Sequence, residues 1–334
     1  MNVLIIRFSA LGDVILTIPV VNALIENNSD LNIWILSNAK NKMLFEFSER
    51  VHFVGAELKG EHKKVHKLNS FVNKLHEANK FDIIYDLHDV IRSKILRFNF
   101  MIKGVKTKKY IKGRKEKKKL VAKKIDFKKL KHTSSRYLET FEKDFGKLSI
   151  KSFLHPLLVA ENNSINLTKT IGIAPFAAHS SKEWPIAKFI PIIESLPNYE
   201  FIFFAYGKRE IDIINEVFYE FKNISIADNN LNFSEQIKLI DSLSAMIAMD
   251  SANMHLSSIT NTKVVSIWGP THHFTGFGPL NNENYIVEIP QEDFNCRPCS
   301  IYGKINAKSR LCAQESMNKI KPEMVMKILN KIIS

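Results

Sequence analysis

Several short segments of this sequence gather groups that can handle a proton, a hydroxyl or a phosphate. The first is Arg7-Phe8-Ser9-Ala10-Leu11-Gly12-Asp13, which directly follows the apolar run Val3-Leu4-Ile5-Ile6. One glycine in the turn does not make the GxGxxG fingerprint, which argues against a nicotinamide enzyme. Gly12 suits a tight turn with close backbone approach. Asp13 has two readings: a cap on the helix that follows, or a general base at a strand's carboxyl end, a role worth about 10²–10⁴-fold in rate. The two roles are compatible. A second polar group, His88, Asp89, Arg92 and Ser93, follows the candidate strand Asp82–Leu87.

Three more such segments lie in the second half. Ala174 to Pro185 joins a strand to a helix whose first position is expected at Pro185. Its small residues admit a ligand to the backbone, Ser180 and Ser181 offer hydroxyls, and Lys182 brings a point charge. These are parts of a phosphate site, though not of a Walker loop. Met249-Asp250-Ser251-Ala252-Asn253-Met254-His255 again joins a strand to a helix start, where exposed N–H groups can hold a diphosphate. His255, one turn in, taken alone is more often a satisfied structural histidine. Trp268-Gly269-Pro270-Thr271-His272 forms a third loop of this kind. Cys296, Cys299 and Cys312 invite a zinc reading, but no fourth ligand lies close in sequence, so thiols are expected instead.

The elements that must position these groups alternate between strand and helix. Candidate strands at 3–6, 31–36 and 82–87, with helices at about 13–26 and 68–78, describe a doubly wound parallel sheet. After the polar stretch Glu161-Asn162-Asn163-Ser164 the alternation restarts, with strands at 171–174, 201–205, 224–226, 245–249 and 263–267 and a last helix at about 322–333. The expected organisation is an α/β domain over 1–160, a linker over 161–170, a second α/β domain over 171–320, and a C-terminal helix over 321–334 packing back on the first domain. Two α/β domains with a cleft between them follow from this.

The chain has 334 residues and a formal net charge of +14. Residues 101–131 hold fifteen Lys/Arg against Glu116 and Asp126, so nearly all the excess sits in one stretch. A solvated basic face is one reading, and an arm facing anionic lipid or glycolipid is the other. Nucleic acid is disfavoured, because Tyr110 and Phe127 are too few to stack bases. The run Val14–Ile25 has about half the length needed to span a bilayer. Without a secretory signal, a cytoplasmic protein is expected.

RFSALGDVILTIPVVNAL, KEWP, MDSANMHLSSITNTKVVSIWGPTH and the cysteine-containing tail together resemble the bacterial ADP-heptose:lipopolysaccharide heptosyltransferases, glycosyltransferase family nine. That resemblance implies a GT-B architecture of two Rossmann-like domains facing across a cleft, with the acceptor on the N-terminal one, the nucleotide sugar on the C-terminal one, and inversion at the sugar carbon. By position, Asp13 would be the base and Lys182 would neutralise the departing diphosphate. Ser181, Gly207, Glu210, Asp250, Ser251, Ala252 and His255 would line the donor site, with Glu210 on the ribose. Arg7, Ser9, Gly12, His88 and Arg92 would meet the acceptor. Two departures stand out: Ala252 where the family often has glycine, and Ala177-Ala178-His179-Ser180-Ser181 in place of a threonine-rich loop.

The expected function is therefore transfer of heptose from an ADP-linked donor to the lipopolysaccharide inner core, with no metal or other cofactor required. The acceptor would be an anionic glycolipid of the lipid A–Kdo type. The expected setting is a monomer, peripheral on the inner face of the inner membrane and held there by 101–131. Another nucleotide sugar on the same fold, or a non-catalytic nucleotide-sugar or glycolipid binding protein, are the competing readings. Intact Asp13 and Lys182 favour the enzyme.

Overall fold

A computed structural model of the chain describes residues 1–150, 153–160 and 167–334. It divides into two compact units, Met1–Lys112 with Thr133–Leu157, and Gly113–His132 with Leu158–Ser334. The lysine-rich stretch expected within the first domain is thus split, and its part from Gly113 onward belongs to the second unit. Residues 161–166 of the expected linker lie outside the described residues, and the first strand of the second unit already begins at Leu167.

Chain order in the first half is β1 (Asn2–Ile6), α1 (Leu11–Ile15), α2 (Ile18–Asn27), β2 (Asn32–Asn38), β3 (Val51–Ala56), α3 (Val65–Asn79), β4 (Ile83–Asp86), α4 (Ile91–Ile102), β5 (Lys106–Lys109), α5 (Arg114–Val121), α6 (Thr133–Phe145) and α7 (Pro156–Ala160). The first unit's sheet is fully parallel, in the order β3-β2-β1-β4-β5. Val3 to Ile6 are buried on both faces of β1, as a central parallel strand requires. Each such side chain contributes roughly 1.5–3 kcal/mol of burial. The helix expected over 13–26 is broken in two. Pro19 has no N–H to continue the ladder, and the Thr17 hydroxyl donates to the Val14 carbonyl at 2.6 Å, closing the first helix off.

The second unit continues with β6 (Leu167–Ala174), α8 (Ile190–Glu194), β7 (Glu200–Phe203), α9 (Lys208–Val217), β8 (Ile224–Ile226), α10 (Phe233–Asp241), β9 (Leu243–Met249), α11 (Ala252–Ser257), β10 (Val264–Trp268), β11 (Ile286–Glu288), α12 (Arg310–Lys319) and α13 (Pro322–Ile333). Its six parallel strands are ordered β11-β10-β9-β6-β7-β8, the order of a dinucleotide-binding sheet. The C-terminal helix, expected against the first domain, instead buries Val325 and Leu329 in the second unit's core beside Ile247, Val265 and Val287.

In both sheets the strand order reverses beside the first strand, between β1 and β4 in one unit and between β6 and β9 in the other. Chain leaving the carboxyl ends of neighbouring strands diverges at such a point and opens a crevice where ligands bind. Every loop singled out in the sequence except that after β10 leaves one of these four strands or β7.

Candidate active site

In the first unit the crevice is organised by Arg7, which leaves the end of β1 and is 4 % exposed. One Nη donates to the Leu87 carbonyl just past β4 at 2.6 Å and approaches the Tyr110 hydroxyl at 3.4 Å. The other Nη pairs with Asp13 Oδ2 at 2.5 Å. Burial opposes the guanidinium charge, but Tyr137, Asp13 and Tyr110 around it outweigh burial and raise its pKa. Asp13 is not a helix cap: Ala10 takes that position, and Asp13 sits third in α1. Its carboxylate is held by Arg7 instead, with Oδ1 touched by the Tyr137 hydroxyl at 3.5 Å. Gly12 is the second residue of α1 and does not take the positive φ of a tight-turn glycine. Ser9 is exposed on the same loop.

The loop after β4 is shaped by Asp86, whose Oδ1 accepts the N–H groups of His88 and Asp89 at 3.0 and 2.7 Å while Oδ2 pairs with Arg97 at 3.2 Å. His88 packs edge-on to Phe8, and its Nδ1 is buried with no hydrogen bond. Burial, reinforced by Arg7, Lys112 and Arg92, pushes the His88 pKa down to about 3, so the ring is neutral at neutral pH. Arg92, the second residue of α4, donates to the Lys63 carbonyl at 3.0 Å. Arg7, Asp13 and His88 thus gather at one switch point, and Arg92 stands at its margin.

The second unit's switch point is spanned by an ion pair. Lys182, in the 3₁₀ turn Ser180–Lys182 after β6, places Nζ 3.4 Å from Asp250 Oδ2 at the end of β9. Both side chains are about nine-tenths buried, at 10 and 12 % exposure. Gly303 positions the lysine in a way the sequence did not signal. Its φ is +87°, and a Cβ there would lie 2.7 Å from Lys182 Cγ and Cδ. The Gly303 carbonyl also accepts the Ser181 hydroxyl at 2.5 Å. The conspicuous Trp184 is structural: it is buried and donates Nε1–H to the Ile320 carbonyl at 3.1 Å. The helix expected at Pro185 starts one residue later as a 3₁₀ turn, Ile186–Phe189, before α8.

Beside this turn lies a cavity of about 1060 Å³ walled by Ser180, Ser181 and Glu183 on one side and Gly303, Asn306 and Arg310 on another. His179, Arg209, Lys304 and Arg310 line it against the single acid Glu183, a balance that suits an anionic ligand. Ser251 caps the position before α11 with an extended backbone, and its buried hydroxyl makes no hydrogen bond. Ala252 opens α11 without positive φ, so its departure from glycine strains nothing. His255 is buried within the same helix. Gly207 precedes α9 with φ +76°, and Glu210 accepts the Tyr206 N–H at 2.8 Å, so its carboxylate secures the α9 start. Neither residue lines the cavity, although Arg209 between them does.

Two clusters were only partly visible in the sequence. His272 donates Nε2–H to Glu288 at 3.0 Å, a tautomer fixed by Nδ1 accepting the Phe274 N–H. The nearly fully buried Arg297 pairs with the same Glu288 oxygen at 2.9 Å and bonds the Trp268 and Ile289 carbonyls, tying β10 to β11. The cysteines, expected as thiols, converge: Cys296 and Cys312 form a disulfide, with Cys299 Sγ 3.3 Å from that of Cys312. Phe127, weighed above as a base-stacking residue, stacks on Phe274 and packs edge-on to His272.

The sequence profile of glycosyltransferase family 9 (heptosyltransferase) matches residues 69–308. A lipooligosaccharide heptosyltransferase 2 of Campylobacter jejuni is 25 % identical over 332 residues, covering 96 % of both chains. Among solved structures, the family 9 glycosyl transferase of Veillonella parvula superposes with a TM-score of 0.73 at 17 % identity, covering 99 % of this chain and 97 % of that one. The E. coli heptosyltransferase WaaC with ADP gives 0.73 at 13 % identity with 99 % of both chains covered. These likenesses establish the GT-B fold, and the profile extends over most of the sequence, including both switch-point loops of the second unit. The chain belongs to glycosyltransferase family 9 and is a glycosyltransferase.

Proposed function

We propose that the chain transfers L-glycero-D-manno-heptose from an ADP-linked donor to the inner core of lipopolysaccharide, with inversion at the sugar carbon. The observation that carries this reading is the buried Lys182–Asp250 pair at the switch point of a nucleotide-binding sheet, beside a cavity rich in cationic side chains. The donor diphosphate would draw the Lys182 ammonium from Asp250. It would then spread its growing negative charge onto that ammonium as the bond from the sugar carbon to the phosphate oxygen breaks. In the first unit Asp13 takes the proton of the acceptor hydroxyl, whose oxygen forms the new bond to the sugar carbon, and ADP leaves. Arg7 fixes one carboxylate oxygen, leaving Oδ1, among the described residues, with the long Tyr137 contact alone. No metal takes part in this scheme.

His88 and Arg92 would orient the acceptor, an anionic glycolipid, and Ser251 and His255 would line the donor site. The chain would act as a monomer at the inner face of the inner membrane. The relatives' names, which are those of lipooligosaccharide enzymes, and the exposed lysines of the basic stretch support the membrane side of that setting. The test is Asp13→Asn with ADP-heptose and a lipopolysaccharide inner-core acceptor. Transfer should fall by at least about 10²-fold while donor affinity stays within twofold, because a base on the acceptor contributes to chemistry and not to donor binding. Near-wild-type turnover would remove Asp13 from the reaction.

A further inference from the structure

Helix α4 carries a row of large apolar side chains that the fold leaves uncovered. Its core face is Ser93, Leu96 and Phe100, all fully buried. On the opposite side Ile91, Ile95, Phe98 and Ile102 are 78, 39, 55 and 68 % exposed, and Met101 beside them is 55 % exposed. The spacing i, i+4, i+7, i+11 places those four on one narrow stripe running the length of the helix. Ile111, just past β5, is 75 % exposed as well. Six of the chain's large exposed hydrophobic residues therefore fall within twenty-one consecutive residues.

The segment that carries this stripe has charge of one sign only. Between Ile91 and Lys112 the sequence holds Arg92, Lys94, Arg97, Lys103, Lys106, Lys108, Lys109 and Lys112 and no acid. Arg97 is committed to Asp86, Lys106 and Lys108 to Asp144, and Lys94 stands 3.8 Å from Asp89. Lys94, Lys103 and Lys109 are exposed. An aqueous protein partner would need a matching apolar groove rimmed with acids. A bilayer with anionic headgroups meets both demands at once, since acyl chains take the stripe and phosphates take the lysines.

We infer that the exposed face of α4, with Lys103 and Lys109, is the surface by which this enzyme lies on an anionic lipid bilayer. The helix enters the interface side-on, apolar stripe down. Its first turn carries Arg92 and directly follows the loop of His88, so the stripe begins at the acceptor side of the first unit. An acceptor whose lipid stays in the bilayer would then reach that crevice without leaving the membrane. This last step rests on the function proposed above, whereas the surface itself does not.

The test uses the full chain and vesicles of phosphatidylcholine alone or with phosphatidylglycerol, neither containing lipopolysaccharide. The wild type should bind the anionic vesicles, weakly bind the neutral ones, and lose affinity as salt rises. The triple variant Ile91→Ser, Phe98→Ser, Ile102→Ser should lose on the order of 100-fold in vesicle affinity. Lys103→Glu with Lys109→Glu should lose a similar factor and remove most of the salt dependence. All five positions are exposed, so melting temperature should not move, and transfer to a soluble, delipidated acceptor should be unchanged. Undiminished vesicle binding by the triple variant overturns the proposal, as does binding only when lipopolysaccharide is present. If vesicle binding behaves as expected but no heptose is transferred, the surface stands and the proposed reaction fails.

Discussion

Gly303 tests whether Lys182 acts by virtue of where it is held. An added Cβ would sit 2.7 Å from both Cγ and Cδ of the lysine. Ordinary carbon–carbon contact is about 3.5–4.0 Å, so the stem must retreat by about 1 Å. A 1 Å misplacement of a charge-stabilising group can lower the rate about 100-fold, equivalent to about 2.7 kcal/mol of transition-state stabilisation. Gly303→Ala also forces a side chain into φ +87°, which costs about 1–2 kcal/mol of stability by itself. Gly146→Ala provides the comparison, because φ is +74° there and nothing lies within 4 Å of the added Cβ. Both variants should therefore show a similar drop in melting temperature, of a few degrees. Steady-state kinetics should separate them, with kcat/KM for the nucleotide sugar reduced about 100-fold in Gly303→Ala and within twofold of wild type in Gly146→Ala. Equal kinetics in the two variants would show that the lysine tolerates the shift, and Lys182 would lose its assigned role.

Acid should destabilise the first unit through His155. Burial lowers its pKa to about 4, with Nε2–H given to the Leu44 carbonyl and Nδ1 accepting the Leu157 N–H. The unfolded chain takes up a proton near pH 6.5 and the folded chain does not, so stability is full above pH 6.5 and falls steadily toward pH 4, by about 3 kcal/mol. Denaturant titrations between pH 7 and 4.5 should show that slope, and His155→Asn should flatten it; an unchanged slope in the variant would assign it to other groups. Cys296→Ser combined with Cys299→Ser, which removes the thiol beside Cys312 that could re-pair, opens the sixteen-residue span to Cys312 and should lower unfolding free energy by about 3 kcal/mol under non-reducing conditions. No difference from wild type in urea titrations would mean that the crosslink does not constrain the unfolded chain.

The doubly wound alternation was legible because parallel strands buried on both faces leave unbroken apolar runs such as Val3–Ile6 and Ala245–Met249, with polar loops at their ends. The same logic found the loops of Asp13, Lys182 and Asp250 at the two switch points. What could not be read was which partner each polar group would choose. Asp13 looks like a cap in sequence, since a carboxylate near a helix start competes for free N–H groups, but the guanidinium of Arg7, six residues upstream at the end of β1, is a stronger partner. Tyr137 approaches that pair from 124 residues further along, and Gly303 reaches Lys182 from 121 residues further; neither has a local signature.

The lysine-rich stretch shows most sharply why composition does not locate a function. Counted along the chain, 101–131 is one basic arm. In the fold its second part joins the other unit, where Lys117 is buried with its ammonium 3.9 Å from the centre of the Phe277 ring and cannot meet a lipid phosphate. The lysines that remain exposed beside an apolar surface are those next to α4, upstream of most of the count. That helix also defeats periodicity, because it is apolar on two sides. Ile91, Ile95, Phe98 and Ile102 fit a core stripe better than Ser93, Leu96 and Phe100 do, yet the shorter set is the one that packs against β4 and β5. A helix that spends its weaker apolar face on the core and leaves the stronger one outside needs a second apolar medium to cover it. With an excess of positive charge in the helix and the strand that follows it, that medium is best supplied by an anionic bilayer.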